Sequence, residues 1–236
     1  MADPPRATDA LRSAMVVGTD ILPYLLKLAF TRAASTNTEG GLAEIRASFG
    51  RTLRRLGVEL EVLHAERVPA SGGLVLMWNQ ESHLDHLVLA SAIRRPFFSL
   101  YNNAVARVPF YGAHMRATGH VHVDRTNEAQ WRPSVARAAA RVRAGECVLV
   151  SPEGTRSAGG QLLPMKRGAL MLAIEAASPV VCVTVVGGHA RLPRGSAAVR
   201  PGPIRVVFSD PLEADDELAA RLVETFEQTK SRHAVG

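Results

Sequence analysis

The chain has 236 residues, of which 47% are hydrophobic and 21% are charged, as in ordinary globular proteins. This length favours one large domain and allows a core that needs no disulfide or metal staple. Both cysteines, Cys147 and Cys182, lie in apolar runs, which excludes a secreted disulfide scaffold and a cysteine zinc site and favours a cytoplasmic protein. The net charge of +6 favours phosphate-bearing partners, while only 5% aromatic residues argue against a base-stacking surface, so we expect no nucleic-acid partner.

Residues 1–57 predict N-terminal amphipathic helices. The apolar stretch Ile21–Phe30 is too short to span a bilayer and lacks the features of a secretory signal, so its apolar face either packs on the domain or lies in a membrane interface. A second helix over Leu42–Leu56, opened by Thr36 and Thr38, carries a basic side that faces either solvent or anionic lipid headgroups. The arginines of this basic side are Arg46, Arg51, Arg54 and Arg55.

Residues 58–236 alternate between short apolar runs typical of strands and amphipathic runs typical of helices. This alternation predicts a single α/β domain with a mixed, mostly parallel sheet flanked by helices. The predicted strands are Val58–Leu63, Leu74–Trp78, Phe97–Tyr101, Val121–Val123, Cys147–Val150, Val180–Val186 and Ile204–Phe208. One predicted helix begins near Ser82. The others cover Pro109–Ala117, Ala129–Ala144, Arg167–Ala177 and Glu213–Lys230.

Four polar segments stand out in this part of the chain: Asn79–Asp85 (NQESHLD), Gly119–Arg125 (GHVHVDR), Ser151–Ser157 (SPEGTRS) and Pro164–Gly168 (PMKRG). The first and third directly follow apolar strands, and ligands of open α/β sheets bind outside the carboxyl ends of strands. Arginine recognises phosphate through two parallel hydrogen bonds. The segments therefore predict a phosphate clamp whose cations are Arg125, Arg156, Lys166 and Arg167.

In this order and spacing, the segments resemble the glycerophosphate/1-acylglycerol-3-phosphate acyltransferase family. Its members carry the blocks NHxSxxD, GxxFxDR and FPEGTRS, followed by a hydrophobic strand with a proline. The resemblance covers roughly Leu74–Gly188, and Ser178–Val185 (SPVVCVTV) corresponds to the fourth block, with Cys182 where a proline is common.

The resemblance implies an enzyme of phospholipid biosynthesis that acylates a hydroxyl of a lysophospholipid such as lysophosphatidic acid. Acyl-CoA or acyl carrier protein would be the co-substrate, and no cofactor or metal is implied. We expect peripheral attachment to an anionic membrane surface, on the inner face of the cytoplasmic membrane. The residues implied in binding the acceptor phosphate are Arg125, Glu153, Gly154, Thr155, Arg156 and Lys166.

One departure concerns the general base. Family members have a histidine five positions before the aspartate. That histidine takes the proton of the acceptor hydroxyl, and the aspartate orients the histidine. Here Gln80 occupies the histidine position, five residues before Asp85. Glutamine cannot accept this proton, and loss of a general base lowers the rate by about 10²–10⁴-fold. Three alternatives follow: His83 or His86 supplies the base; a histidine of the second block does so (His114, His120 or His122); or the chain is a weak or inactive relative that binds lipid.

Two functions of other classes also stay open. A non-catalytic lipid-binding protein would keep the phosphate clamp and release no thiol from any acyl donor. A phosphate-handling hydrolase would use the clamp on water-soluble substrates and would be active without lipid.

Overall fold

The computed structural model describes residues 6–24, 27, 35–108, 111–157 and 159–235. The strands are β1 (Val58–Leu63), β2 (Leu74–Trp78), β3 (Phe98–Asn102), β4 (Val121–Val123), β5 (Cys147–Val150), β6 (Val180–Val186) and β7 (Gly202–Phe208). The helices are α1 (Ala7–Val16), α2 (Glu39–Arg55), α3 (Asp85–Ala92), α4 (Asn103–Ala106), α5 (Tyr111–Ala117), α6 (Glu128–Arg143), α7 (Arg167–Ala176), α8 (Gly188–Arg191) and α9 (Leu218–Arg232).

The strands form one seven-stranded sheet in the order β1-β7-β6-β2-β5-β3-β4. Neighbouring strands are parallel except for the antiparallel pair of β6 and β7. The predicted mixed, mostly parallel sheet of a single α/β domain is therefore confirmed. Because β2, β3, β4, β5 and β6 run in one direction, the segments that follow them meet at a single edge of the sheet, here called the carboxyl edge.

Helices cover both faces of the sheet, which explains why its central strands are almost entirely apolar. One face packs against α2 and α3 through a core that includes Leu42, Leu53 and Val88. The other packs against α6, α7 and α9, with Leu172 and Phe226 in its core. The cysteines are buried, one in each of these cores, as small apolar side chains.

Two helices begin later than the sequence predicts, because carboxylates hold the preceding backbone in turns. Asp85 Oδ2 accepts the amides of Glu81 (2.8 Å) and Ser82 (3.0 Å), so α3 begins at Asp85 rather than near Ser82. Asp215 Oδ1 accepts the Glu217 amide at 2.9 Å, so α9 begins at Leu218 rather than at Glu213. The short helices α4 and α8 were not predicted, and α1 lies in the region 1–57 for which N-terminal helices were predicted without bounds at this position.

The N-terminal predictions are only partly covered. Within Ile21–Phe30, residues 25, 26 and 28–30 lie outside the described residues, as does the predicted start of α5 at Pro109. The predicted cap of α2 is present, since Thr38 Oγ1 accepts the Gly41 amide at 3.2 Å. Within the described part of the chain, no helix combines the length and apolar character needed to cross a membrane.

Candidate functional site

Hydrogen bonds join two loops at the carboxyl edge, residues 79–84 after β2 and residues 151–157 after β5. The Gln80 amide donates to Glu153 Oε1 at 2.8 Å, and the Ser157 amide donates to the Gln80 carbonyl at 3.0 Å. The Leu163 amide donates to Glu153 Oε2 at 2.7 Å. Glu153 is 1% exposed, and backbone amides use both of its oxygens. Glu153 therefore holds the two loops together. It would contribute to phosphate binding only indirectly, by fixing the conformation of the 151–157 loop.

Asp85, the first residue of α3, holds the end of the first loop. It is 1% exposed, and its Oδ2 accepts the two amides that precede α3. Its Oδ1 is buried and has no hydrogen-bond partner among the described residues. Burial, opposed by the bond from Ser82, raises the pKa of Asp85 to about 8, so the carboxyl group is largely protonated at neutral pH. An uncommitted oxygen on a buried carboxyl group is suited to receive a donor such as an imidazole N–H.

His83 is exposed and lies in the non-helical backbone that a dyad with Asp85 would need, but no hydrogen bond joins the two side chains. Partial loss of solvent and, second, the nearby positive charge of Arg156 lower the pKa of His83. Its imidazole is therefore largely neutral at pH 7, which is the form that can accept a proton. The structure thus brings His83, Asp85 and Arg156 together at one edge of the sheet.

Arg125 and Lys166 lie on the other side of the 151–157 loop. The Arg125 guanidinium donates to the Gly154 carbonyl, and the Lys166 amide donates to the Pro152 carbonyl at 2.7 Å. Gly154 has φ +68°, and a Cβ there would lie 3.0 Å from Arg125 Nη1 and 3.4 Å from Lys166 Cγ. Only glycine fits this position without strain, because it requires both a left-handed conformation and close approach.

The cations beside Gly154 open onto a cavity of about 410 Å³. Its polar lining includes Arg125, Lys166 and Arg167, and its apolar lining includes Leu100 and Trp131. Such a combination suits a ligand with an anionic group and an apolar part. Asp85 and Arg156 do not line this cavity. Arg125 contacts the 151–157 loop and Arg156 belongs to that loop, but only Arg125 lines the cavity. Thr155 is exposed on that loop.

A buried ion pair at the carboxyl edge was missed by sequence reasoning. Lys230 of α9 donates to Glu81 Oε1 and to the Gly160 carbonyl, while the His189 amide donates to Glu81 Oε2 at 3.2 Å. Lys230 therefore connects the 79–84 loop to segments that follow β5 and β6. Lys230 and Glu81 are 149 residues apart, and no local pattern signals that they meet.

The remaining candidate histidines have other contacts. His86 packs against Trp78 with ring centroids 6.3 Å apart. His120 Nδ1 accepts the Ser99 amide at 2.9 Å, and His122 Nε2 lies 2.6 Å from Asn103 Oδ1. His86, His114 and His120 line a separate small cavity of about 80 Å³. Loss of solvent and, further, the charges of His83 and Arg156 lower the pKa of His86 to about 4. His83 and His86 are therefore both exposed histidines whose pKa is lowered in part by the charge of Arg156.

Comparison with known proteins gives a consistent result. A family model described as Acyltransferase matches residues 59–186. Curated 1-acyl-sn-glycerol-3-phosphate acyltransferases are 29% identical over 143 residues (Cocos nucifera; 60% of this chain and 46% of the relative), 35% over 109 residues (Limnanthes alba; 46% and 39%) and 27% over 149 residues (Escherichia coli K12; 62% and 61%). The matches thus span between 39% and 61% of the length of these relatives.

A solved structure has the same fold. The crystal structure of the 1-acyl-sn-glycerophosphate (LPA) acyltransferase from Thermotoga maritima superposes with a TM-score of 0.77 at 20% identity, covering 95% of this chain and 94% of that chain.

Proposed function

Since the match over residues 59–186 shows that the chain belongs to the acyltransferase family, we propose that it transfers a fatty acyl group from a thioester to a hydroxyl of lysophosphatidic acid or a similar lysophospholipid. The observation that carries this proposal is Asp85, the first residue of α3, whose buried, uncommitted Oδ1 lies at the carboxyl edge directly after the loop that contains position 80. The acceptor class also agrees with the relatives, which are 1-acyl-sn-glycerol-3-phosphate acyltransferases.

In the proposed reaction the acceptor hydroxyl attacks the thioester carbonyl directly. The new C–O bond forms as a base removes the hydroxyl proton, the C–S bond then breaks, and the proton leaves with the thiol. An alcohol needs such a base near neutral pH. We assign this role to His83, whose lowered pKa favours the neutral imidazole. Because His83 has no hydrogen bond to Asp85, its orientation is poorly fixed and we expect slow turnover.

Cations at the carboxyl edge would hold the acceptor phosphate. Arg125 and Lys166 lie against Gly154 at the mouth of the 410 Å³ cavity, and Arg156 lies next to His83. Guanidinium groups bind phosphate with directional, charge-assisted hydrogen bonds. Backbone amides of the 151–157 loop would stabilise the oxyanion that forms on the thioester carbonyl. The reaction so described uses no metal or cofactor, with acyl-CoA or acyl carrier protein as co-substrate.

Membrane attachment belongs to the same proposal, because both lipid substrate and product partition into bilayers. Leu11 and Met15 are 65% and 56% exposed and lie one turn apart on α1, and Val17 and Leu22, in and just after the π-helical turn Val17–Ile21 that follows, are 53% and 52% exposed. An exposed apolar stripe on an N-terminal helix favours an interfacial position. We propose peripheral docking through this stripe, on the cytoplasmic face of the membrane.

Gln80 favours one second candidate, a lipid-binding relative without activity. It would bind lysophosphatidate through the same cations but would lack a functional base. The experiment that separates the two measures thiol release from acyl-CoA with lysophosphatidate, alongside lysophosphatidate binding, in the native chain, Arg156→Gln and the exposed-loop control Arg194→Gln. The acyltransferase proposal expects release that falls at least tenfold in Arg156→Gln and is unchanged in the control. Binding without any release would establish the second candidate.

A further inference from the structure

A second cluster of cations lies outside the site described above, at β4, the last strand of the sheet. Here a pocket of about 320 Å³ is lined by three arginines, two histidines and one tyrosine, and its lining contains no carboxylate. These residues are Arg116 of α5, Arg137 and Arg141 of α6, His120, His122 and Tyr101. We refer to this space as the β4-edge pocket.

Arg141 forms a fixed wall of the β4-edge pocket. Its guanidinium forms a two-point ion pair with Glu146, donates to the Gly119 carbonyl and lies 3.8 Å from the centroid of the Phe98 ring. Glu146 therefore already balances the charge of Arg141. The pocket's excess positive charge must come from its other arginines.

Arg116 and Arg137 supply that excess charge. Both side chains are exposed, and neither forms an ion pair with a carboxylate in the part of the chain that the structure describes. Arg137 donates only to Ser134 Oγ, at 3.2 Å. Two such guanidinium groups at the rim of a concave site are arranged to bind an anion rather than to stabilise the fold.

Buried polar groups of the β4-edge pocket also remain available for a ligand. Tyr101 is 4% exposed, and its hydroxyl has no partner that meets hydrogen-bond geometry among the described residues. Arg116 lies next to this hydroxyl. Burial raises the pKa of the Tyr101 phenol, and the nearby Arg116 guanidinium in part opposes that effect. His120 accepts the Ser99 amide through Nδ1, which leaves its Nε2–H as a donor. The Tyr101 hydroxyl, the Arg116 guanidinium and the His120 imidazole thus place several hydrogen-bond donors around one concave space, which suits an anionic ligand.

The β4-edge pocket and the proposed reaction site lie on either side of β4, because consecutive residues of a strand project to opposite faces of the sheet. His122 lines the pocket, while the next residue, Val123, lines the 410 Å³ cavity that contains Arg125. His122 and Arg125 are three positions apart, a span of about 10 Å at most, and β4 is an edge strand, so a ligand can pass around it from one face to the other. A ligand with an anionic end in the pocket and a long arm would therefore reach the carboxyl edge.

We propose that the β4-edge pocket binds the phosphate groups at the nucleotide end of a coenzyme A thioester. This inference rests on the proposed function, in which two different substrates carry phosphate. The acceptor phosphate is assigned to the cations around Gly154, so the donor needs a second set. The 3′-phosphate and the diphosphate of coenzyme A present clustered negative charge to Arg116 and Arg137, and the pantetheine arm carries the thioester around β4 to the carboxyl edge.

Calorimetric binding of free coenzyme A, which cannot react, tests this proposal without requiring turnover. The variant is Arg116→Gln/Arg137→Gln, and the control with the same charge change is Arg194→Gln/Arg232→Gln, in which both side chains are exposed and lie outside the pocket. Both pairs are on the surface, so folding is preserved. We expect the pocket variant to bind coenzyme A about 10- to 100-fold more weakly, from the loss of charge-assisted hydrogen bonds, and the control to change less than twofold.

Three further ligands decide the chemistry of the site. 3′-Dephospho-coenzyme A should bind the native chain more weakly than coenzyme A, and this difference should shrink in the pocket variant. Equal coenzyme A affinity in the native chain and the pocket variant would overturn the proposal. Pyrophosphate that binds as tightly as coenzyme A would also overturn it, because the pocket would then be a general anion site. A pocket variant that binds coenzyme A normally but acyl carrier protein more weakly would overturn it as well, because the pocket would then bind a protein partner.

A thiol-release assay on the same variants separates this proposal from the proposed function. If the function holds and the pocket proposal fails, release proceeds with the same KM for acyl-CoA in native chain and pocket variant. If the function fails, no variant releases thiol, and the calorimetric comparison still decides whether the pocket binds coenzyme A.

Discussion

The backbone amide of Glu81 donates to Asp85 Oδ2 at 2.8 Å, which fixes a buried carboxyl group through the loop that precedes its own helix. Because Ser82 donates to the same oxygen, the other oxygen is left without a partner. In the acyltransferase family the corresponding aspartate orients a histidine that is replaced here by Gln80. Under the proposed function, Asp85 is the aspartate half of the catalytic pair and is held in place, while the position of its partner carries a side chain that cannot accept a proton.

The raised pKa of Asp85 predicts how stability depends on pH. Folding raises this pKa from 3.8 to about 8, so the folded state binds the proton more tightly than the unfolded state does. The resulting stability is fully present below pH 4 and is lost as pH rises through 8. Between pH 6 and pH 9 we expect the native chain to lose about 2 kcal/mol more than Asp85→Asn, which has no such proton. Urea unfolding at the two pH values measures this difference, and parallel pH dependence in both proteins would contradict it.

Gly154 should be intolerant of a side chain. Gly154→Ala places a Cβ 3.0 Å from Arg125 Nη1 in a left-handed backbone conformation. We expect a loss of about 1–2 kcal/mol in the free energy of unfolding, with weaker lysophosphatidate binding because Arg125 and Lys166 are displaced. Gly72→Ala is the matched control, since Gly72 has φ +83° and its Cβ would meet nothing within 4 Å. It should show a stability loss with unchanged lipid binding; equal lipid affinity in both variants would count against the assigned phosphate site.

Lys230 should stabilise the site by neutralising Glu81. Glu81 is 4% exposed, so Lys230→Met leaves a buried carboxylate without its cation. Because Lys230 is partly exposed and Asn79 and the His189 amide still donate to Glu81, we expect a loss of about 1–3 kcal/mol. Lys230→Met should therefore lower the free energy of unfolding by that amount, and the double variant Glu81→Gln/Lys230→Met should recover much of the loss. Denaturant unfolding of the three proteins provides the measurement, and additive losses in the double variant would show that the two side chains are not coupled.

Membrane docking should depend on the exposed apolar stripe of the N-terminal helices. Leu11→Asp/Met15→Asp places two charges on this stripe and should reduce co-sedimentation with vesicles of anionic phospholipid at least tenfold. Ile174→Asp, at a 40% exposed position on α7, is the control for adding charge at another apolar surface residue and should bind vesicles as the native chain does. Equal sedimentation of all three proteins would place the contact elsewhere.

Patterns within short segments predicted most of the fold. The apolar runs of β2, β5 and β6 indicated buried central strands, and the polar segments after β2 and β5 indicated ligand loops, because burial and strand polarity are local properties of the sequence. Contacts between distant segments could not be predicted. Asn79 binds both backbone groups of Val185 at 2.8 and 2.7 Å, and Lys230 reaches Glu81, although neither pair is close in sequence.

The later start of α3 has a related cause. Asp85 has the position of an ordinary first-turn acid, and the sequence alone favours a helix that already includes Ser82. The bonds from Glu81 and Ser82 to Asp85 instead stabilise a turn, and that turn keeps His83 out of the helix. The turn thus gives His83 the non-helical backbone that the dyad considered from the sequence needs, but no hydrogen bond joins its imidazole to Asp85 Oδ1.

Thiol release from acyl-CoA with lysophosphatidate, measured for Gln80→His, tests the central claim that Asp85 Oδ1 is an unused binding point for a general base. A histidine at position 80 would donate to this oxygen, and we expect about 100-fold faster release than in the native chain, within the range for a restored general base. The gain should disappear in Gln80→His/Asp85→Asn. A Gln80→His chain that is folded, binds lysophosphatidate and releases thiol no faster than the native chain would contradict the account.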